Sequence, residues 1–156
     1  MSGRADVLLV CSSGGHLVQL RALRPAWEGL SSAWITDDTP DARSLLAGER
    51  VLFAHGPTCR NVRTLLRNLL LARRVLRELR PRVVLTTGAA TAVPFAWLAR
   101  LRGARVVYVE SLSRIDRPSL SCRLIGPFAE RIYVQWPELT TAVYRSRYAG
   151  TVLPVR

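Results

Sequence analysis

The chain contains no lysine, only two histidines and only three cysteines among its 156 residues. Cys11, Cys59 and Cys122 are odd in number and far apart, and no Cys-x-x-Cys pair occurs. This pattern excludes a zinc site of the usual spacing and is typical of reduced thiols. His16 and His55 are too few for a histidine-rich metal centre. We therefore expect no bound metal and no cofactor.

Long hydrophobic segments are also absent. Arginine interrupts each apolar run well before the roughly 18 residues that a membrane span needs, and residues 1–6 lack the charged-then-apolar layout of a signal peptide. We therefore expect a cytoplasmic protein. The Gly-x-Gly-x-x-Gly fingerprint and the Gly-Lys-Ser/Thr motif are missing, which argues against an NAD enzyme and a phosphate-loop ATPase.

Negative charge is scarce, because 23 basic residues, all arginine, stand against 11 acidic ones and give a formal net charge of +12. Exclusive use of arginine is typical of a GC-rich genome. The excess of positive charge nevertheless favours an anionic partner, which would be nucleic acid, anionic lipid or a phosphorylated substrate. The length and the 49% apolar content predict one globular domain over residues 1–156.

Strand and helix patterns alternate along the chain. Short apolar runs predict strands at residues 6–11, 33–36, 50–54, 82–87, 105–110 and 131–135. Helical patterns follow four of these strands, at residues 16–27, 61–80, 91–101 and 137–148. This alternation predicts an α/β fold, a Rossmann-like parallel sheet with helices on both faces.

Parallel sheets of this kind bind ligands at the carboxyl ends of their strands. Three predicted strand ends carry candidate residues, in the segments SSGGH (12–16), TGAAT (87–91) and ESLSR (110–114). At Gly14 and Gly15 the backbone would approach an anion closely, and the following helix would direct its N–H groups at that anion. The alternative is a tight turn in which Ser13 caps the helix.

The other candidates at these strand ends also have two interpretations. A neutral His16 at a helix start would accept a proton from an attacking hydroxyl, or would merely cap the helix. Gly88 and Thr91 form a second anion nest or a helix-packing point. Glu110 ends a buried strand, where an unpaired carboxylate is costly, so it needs hydroxyl or arginine partners from the protein or from a substrate.

Residues 60–82 contain eight arginines and one acidic residue, Glu78. On a helical wheel of about 100° per residue, one face is predicted to pack on the sheet and consists of Leu65, Leu69, Ala72, Leu76 and Leu79. The opposite face combines Arg63, Arg67, Arg74 and Arg77 with Leu66 and Leu70. Arginines interleaved with leucines suit the headgroup region of an anionic bilayer. The alternative is a solvated basic face whose leucines another element covers.

Nucleic acid would also be attracted to this charge. We do not expect it as a partner, because the stretch has no aromatic interleaving, RNA-binding signature or helix-turn-helix pattern.

Taken together, CSSGGHLVQL (11–20), TTGAAT (86–91) and YVESLSRIDRPSLSCRLIGPFAERIYVQWPEL (108–139) resemble the membrane-associated subunit of two-part glycosyltransferases. In eukaryotes that subunit serves the dolichyl-diphosphate N-acetylglucosamine transferase, and bacterial counterparts act in exopolysaccharide and capsule synthesis. The resemblance extends from residue 6 to about residue 154, and its most specific parts are ESLSR (110–114) and VQWPE (134–138).

The resemblance implies the N-terminal, acceptor-side half of a GT-B glycosyltransferase, with a separate subunit that binds a UDP-sugar. It implies a polyprenyl-diphosphate-linked sugar as acceptor, and no metal. Many eukaryotic relatives carry an N-terminal membrane helix that we do not find here, so the basic helix would replace it as a peripheral anchor on the cytoplasmic face of the membrane. The TGAA segment (87–90) also lacks the fuller Gly-Pro-Gly loop of some relatives.

Carried over to this sequence, the resemblance gives each candidate a role. His16 and Glu110 would be the catalytic residues. The acceptor diphosphate and sugar would contact Ser13, Gly14, Gly15, Gly88, Thr91, Ser111, Ser113 and Arg114. The catalytic subunit would dock on Gln135, Trp136, Pro137 and Glu138. The rival interpretation is a membrane-recruitment scaffold without catalytic residues of its own.

Overall fold

The computed structural model describes residues 3–56 and 62–153. Within these ranges the chain forms a seven-stranded sheet whose order is β3-β2-β1-β4-β5-β6-β7. The strands are β1 (Val7–Val10), β2 (Ser32–Asp37), β3 (Val51–Ala54), β4 (Val83–Thr86), β5 (Arg105–Val109), β6 (Arg131–Val134) and β7 (Ser146–Tyr148). Every neighbouring pair is parallel, which confirms the predicted α/β fold class.

Helices connect the strands and cover both faces of the sheet. They are α1 (Gly15–Ala22), α2 (Pro40–Leu45), α3 (Val62–Leu79), α4 (Ala92–Leu101), α5 (Leu120–Ile125) and α6 (Leu139–Ala142). None of the helices in the described ranges has both the length and the apolar character of a membrane-spanning segment.

The central strand β1 is buried on both sides. Leu8 belongs to the cluster packed under α3, α4 and α5, while Leu9 belongs to the cluster under α1 and α2. Successive side chains of a strand point to opposite faces, so a continuous apolar run is what a doubly covered strand requires. Each of these two leucines has no exposed surface, and each such burial contributes about 1.5–3 kcal/mol.

The predicted helix over residues 137–148 is wrong. Helix α6 ends after four residues, and β7 follows it and pairs with β6. The hydroxyls of Thr140 and Thr141 donate back to the carbonyl oxygens of Pro137 and Glu138, which competes with helical hydrogen bonding. Arg145 then adopts a positive φ of 61° and turns the chain into β7.

Two further differences concern short helices. The predicted helix over residues 16–27 ends at Ala22 and is followed by a 3₁₀ turn, Arg24–Trp27, because Pro25 cannot continue the α-helical bonding. Helices α2 and α5 were not predicted. Each begins at a short side-chain cap, Thr39 for α2 and Ser119 for α5, whose hydroxyl accepts an N–H of the first turn.

Helix α3 packs on the sheet with a different face from the predicted one in its first half. Thr64 and Asn68 are buried there, whereas Leu65 is 42% exposed, so the assignment of Leu65 to the packing face is wrong. The Asn68 carboxamide accepts the His55 N–H at 2.8 Å and donates to the His55 carbonyl at 3.0 Å, which attaches α3 to the end of β3 by polar contacts. Leu66 and Leu70 are exposed, as predicted. Arg60 and Cys59 lie outside the described residues.

Candidate functional site

The candidate residues lie at the carboxyl edge of the sheet, where Asp37 joins two of the predicted segments. Its Oδ2 accepts the backbone N–H of Ser13 at 3.3 Å, and its Oδ1 accepts the hydroxyl of Thr91 at 3.3 Å. The end of β2 thereby connects the turn after β1 to the start of α4. Thr91 is fully buried with its hydroxyl donated to Asp37, so its assignment to acceptor binding is corrected to a structural role.

Gly14 is the N-cap of α1 and has φ 71° and ψ −137°, a conformation that favours glycine. No side chain caps this helix, so the alternative in which Ser13 is the cap is wrong. The Gly14 N–H donates to Asp41 Oδ2 at 3.2 Å. The Thr39 side chain, and after it the Gly14 N–H, lower the pKa of Asp41 below its usual value.

The two carboxylates decide where an anion would bind. Asp37 and Asp41 accept the N–H groups of Ser13 and Gly14, and their negative charge disfavours a phosphate at that side of the turn. The first turn of an α-helix has N–H groups without acceptors inside the helix. An anion would therefore bind further along, at the N–H groups of Gly15 and His16.

His16 is held in one tautomer by the end of β4. Its Nδ1 lies 2.8 Å from the carbonyl oxygen of Thr87, and a carbonyl only accepts, so Nδ1 carries the proton. In the neutral form of the half-buried ring, Nε2 is therefore the nitrogen with the free lone pair, which is the tautomer that a general base at Nε2 requires. The Thr87 hydroxyl donates to the His16 carbonyl at 3.0 Å and completes a two-way link.

Gly88 is a packing point, so its assignment to an anion nest is corrected. Its N–H donates to the Thr86 hydroxyl at 2.9 Å, and the residue is buried at φ 97°. A Cβ at this position would lie 2.7 Å from Tyr108 Oη and 2.9 Å from Ser121 Oγ. Glycine is required here because the tyrosine hydroxyl occupies the space.

Glu110 is fully buried, and its carboxylate accepts three hydrogen bonds from nearby groups of the chain. Its carboxylate accepts the Tyr108 hydroxyl at 3.1 Å and the N–H groups of Ser111 and Ser119, each at 2.8 Å. Burial, and after it the charge of Glu110, raises the pKa of Tyr108, which keeps its hydroxyl protonated as a donor. The hydrogen-bond partners that a buried Glu110 was expected to need are thus supplied by the chain itself. Through them Glu110 holds the loop over residues 111–119 against the end of β5.

The loop after β5 exposes only part of its predicted contact set. Ser111 is buried, and its Oγ lies 3.0 Å from Ser113 Oγ. Ser113 and Arg114 are exposed at the surface of the loop. We therefore retain Ser113 and Arg114 as candidate ligand contacts.

Gln135 is 1% exposed, which corrects its assignment to a partner surface. Its carboxamide donates to Gln19 Oε1 at 2.8 Å and to the Glu110 carbonyl at 2.9 Å. Trp136 is half-buried and donates from Nε1 to the Leu112 carbonyl at 2.6 Å. Pro137 and Glu138 are exposed, so of the four predicted residues they are the ones that a partner would reach.

Sequence reasoning placed Thr87 in a candidate segment without giving it a role, and it missed Gln19 as a site residue. Thr87 contributes largely through its backbone carbonyl, for which no side-chain pattern exists. Gln19 left a weak signal, since it is a polar residue between Leu17 and Leu20 on the face of α1 that is buried. Within residues 3–56 and 62–153, no three side chains of histidine, cysteine, aspartate or glutamate lie together as metal ligands would.

Comparison with known proteins identifies relatives in sequence. Residues 50–152 match the family described as "Oligosaccharide biosynthesis protein Alg14 like". The "UDP-N-acetylglucosamine transferase subunit ALG14" of Eremothecium gossypii is 43% identical over 88 residues, which are 53% of this chain and 39% of that protein. The human protein of the same name is 31% identical over 96 residues, 58% of this chain and 44% of that protein. The chain thus aligns with well under two thirds of the length of these relatives.

Solved structures share the fold at low sequence identity. MurG of Acinetobacter baumannii superposes with a TM-score of 0.77 and 18% identity, over 96% of this chain and 47% of that chain. UDP-GlcNAc 2-epimerase of Methanocaldococcus jannaschii superposes with a TM-score of 0.73 and 14% identity, over 93% of this chain and 45% of that chain. The domain therefore has the fold of about half of each of these proteins.

Proposed function

The chain belongs to the Alg14-like family of oligosaccharide biosynthesis proteins, and we propose that it is the acceptor-binding subunit of a two-part glycosyltransferase. The observation that carries the proposal is the hydrogen bond of His16 Nδ1 to the Thr87 carbonyl, because in the neutral ring it leaves the Nε2 lone pair free to accept a proton at the carboxyl edge of the sheet. A separate subunit would bind the nucleotide sugar. Relatives are named subunits of a UDP-N-acetylglucosamine transferase, which supports a UDP-sugar as donor.

The acceptor that this edge suits is a sugar linked through diphosphate to a polyprenol. The N-terminus of α1 offers N–H groups and positive dipole to the diphosphate. Arg114 adds a cationic side chain that can bind phosphate, and Ser113 adds a hydroxyl that can bind sugar or phosphate. A role in exopolysaccharide or oligosaccharide biosynthesis follows from this acceptor class.

Sugar transfer would proceed by direct displacement at the anomeric carbon of the donor. The acceptor hydroxyl oxygen forms the new glycosidic bond, the bond between the anomeric carbon and the UDP oxygen breaks, and UDP leaves with the electron pair. His16 Nε2 takes the acceptor proton. We assign Glu110 a positioning role, because it is fully buried and its carboxylate accepts three protein donors that hold the loop over residues 111–119 in place.

The exposed face of α3 is the proposed membrane contact, on the cytoplasmic side. Leu66 and Leu70 are 55% and 69% exposed, and the exposed arginines around them are Arg63, Arg67, Arg74 and Arg77. Burial of leucine in the headgroup boundary and attraction of arginine to anionic lipid add to each other. Helix α3 begins at the carboxyl edge of the sheet, since it follows β3, so this contact would bring the acceptor site towards the bilayer.

The rival function is a scaffold that recruits a fully competent enzyme to the membrane. One observation favours it, because Asp37 and Asp41 set negative charge beside the Gly14 turn and disfavour a diphosphate there. In that case His16 would be structural, and its loss would leave turnover unchanged in the assembled pair.

The test is to co-express this chain with the product of the neighbouring gene, and to reconstitute the pair with a product that binds a UDP-sugar. The pair and each subunit alone are assayed with UDP-N-acetylglucosamine and polyprenyl-diphosphate-linked sugars in anionic vesicles. Transfer by the pair and by neither subunit alone supports the proposal. Full transfer by the other polypeptide without this chain would contradict it.

A further inference from the structure

Two buried carboxamides lie between the turn that holds His16 and the loop that follows β5. Gln19, on α1, is 6% exposed, and Gln135 follows β6. We propose that Gln19 is a positioning residue, which fixes the distance between His16 and the loop over residues 110–114 through its hydrogen bonds to that loop and to Gln135. The inference rests on the proposed function.

The Gln19 carboxamide uses both of its ends. Its Oε1 accepts the Leu112 N–H and the Gln135 Nε2, both at 2.8 Å. Its Nε2 donates to the Gly15 carbonyl at 3.2 Å and approaches Ser111 Oγ at 3.4 Å. The same side chain therefore contacts the first turn of α1, the loop after β5 and the end of β6.

Gln135 continues this connection towards the end of the described chain. Its Nε2 also donates to the Glu110 carbonyl at 2.9 Å, and its Oε1 accepts the Val152 N–H at 2.9 Å. The two amides form one chain of hydrogen bonds from Gly15 to Val152. Such a chain specifies a single arrangement, because a shift of any segment leaves a buried polar group without a partner.

Gln19 lies between the two segments that carry the proposed base and the proposed phosphate contact. His16 lies three residues before Gln19 in the same helix, and Leu112 lies two residues before Arg114. Gln19 therefore connects the segment of the proposed base directly to the segment of the proposed phosphate contact. A displacement of about 1 Å between reacting groups lowers turnover about a hundredfold.

The variant that tests this is Gln19→Met, which keeps much of the side-chain volume and removes all four contacts. We expect kcat of the reconstituted pair to fall about 10–100-fold, while KM for UDP-N-acetylglucosamine, which the partner binds, stays within about twofold. Gln19→Glu retains an oxygen that accepts from Leu112 and Gln135, and we expect it to recover part of that loss. Asn68→Leu is the matched control, since it removes another buried side-chain amide whose hydrogen bonds are made to His55.

Amide exchange measured by NMR on this chain alone gives a readout that does not depend on sugar transfer. In Gln19→Met the Leu112 N–H loses its acceptor and exchanges at least tenfold faster, whereas the Val152 N–H keeps Gln135 and changes less. In Gln135→Met the Val152 N–H is the one that exchanges faster.

The outcomes separate the inference from the function on which it rests. Absence of transfer by the wild-type pair overturns the proposed function and leaves the exchange test of the link intact. An active wild-type pair, with Gln19→Met folded and its kcat within about twofold of the wild-type value at 25 °C, overturns the positioning role. Unchanged Leu112 exchange in Gln19→Met overturns the link itself.

Discussion

The Nδ1 of His16 lies 2.8 Å from the carbonyl oxygen of Thr87, so a backbone group of β4's carboxyl end selects the tautomer of a side chain that follows β1. We expect His16→Ala to lower turnover of the reconstituted pair by about 10²–10⁴-fold, the usual contribution of a positioned general base. Steady-state kinetics measure this, and co-purification of the two subunits checks that assembly is intact.

His55→Ala is the matched control for that substitution. His55 is the other histidine of the chain and is exposed, and the groups that Asn68 binds are its backbone N–H and carbonyl, which alanine also has. We expect turnover near the wild-type value. Equal activity of the two histidine variants would favour the scaffold function.

Glu110→Gln should destabilise the fold by about 1–3 kcal/mol, the cost of a buried donor left without its acceptor. The carboxylate accepts from Tyr108 and Ser111 on one oxygen and from Ser119 on the other, and a carboxamide nitrogen cannot accept from either set. Urea denaturation measures the change. Glu78→Gln, which removes an exposed pair with Arg74, should change stability by about 1 kcal/mol or less; equal losses would contradict the role given to Glu110.

Gly88→Ala should cost about 1–3 kcal/mol through overpacking, because the added methyl group meets Tyr108 Oη. Gly103 also has a positive φ, 81°, but a Cβ there meets nothing within 4 Å, so Gly103→Ala isolates the backbone strain. The excess loss at Gly88 should shrink in the Tyr108→Phe background, measured against Tyr108→Phe alone, since the nearer of the two clashing hydroxyls is then gone and Ser121 Oγ remains. A loss unaffected by Tyr108→Phe would disprove this account; the measurement is thermal unfolding of the wild type, Gly88→Ala, Gly103→Ala, Tyr108→Phe and the double variant.

The contrast between Gly88 and His16 illustrates what could be predicted from sequence. The order of elements and the strand-end positions follow from apolar periodicity, and both residues were correctly expected after strands. What each does depends on contacts across the sheet. The side chain of Tyr108 and the carbonyl of Thr87 come from other segments, and no local pattern reports them. Gln135 was wrongly assigned to a partner surface for the same reason. Its buried side chain binds Gln19, which is 116 positions away in sequence and is not reported by the residues around Gln135.

Cys11 and Cys122 should resist alkylation in the folded protein at pH 8. Burial raises the pKa of each thiol to about 12, so neither is a thiolate at that pH. Since the folded pKa lies above the reference value of 9.0, their contribution to stability is complete below pH 9 and is lost as the pH rises towards 12. Mass spectrometry after treatment with iodoacetamide, with and without urea, measures the alkylation of Cys11 and Cys122. Rapid labelling of both residues without urea would refute their predicted resistance.

Replacement of Arg63, Arg67, Arg74 and Arg77 together by glutamine should abolish binding to vesicles that contain anionic lipid, because each basic side chain near such a surface contributes about 1 kcal/mol. The matched control replaces four exposed arginines outside α3, namely Arg82, Arg100, Arg102 and Arg147. The control makes the same change in net charge, so we expect it still to bind if the membrane contact is specific to α3.

Leu66→Ser with Leu70→Ser should weaken binding at high salt as well as at low salt, since salt does not screen the apolar part of the contact. Vesicle sedimentation at low and high salt measures all three, and equal loss in both arginine variants would show that net charge alone draws the protein to the membrane.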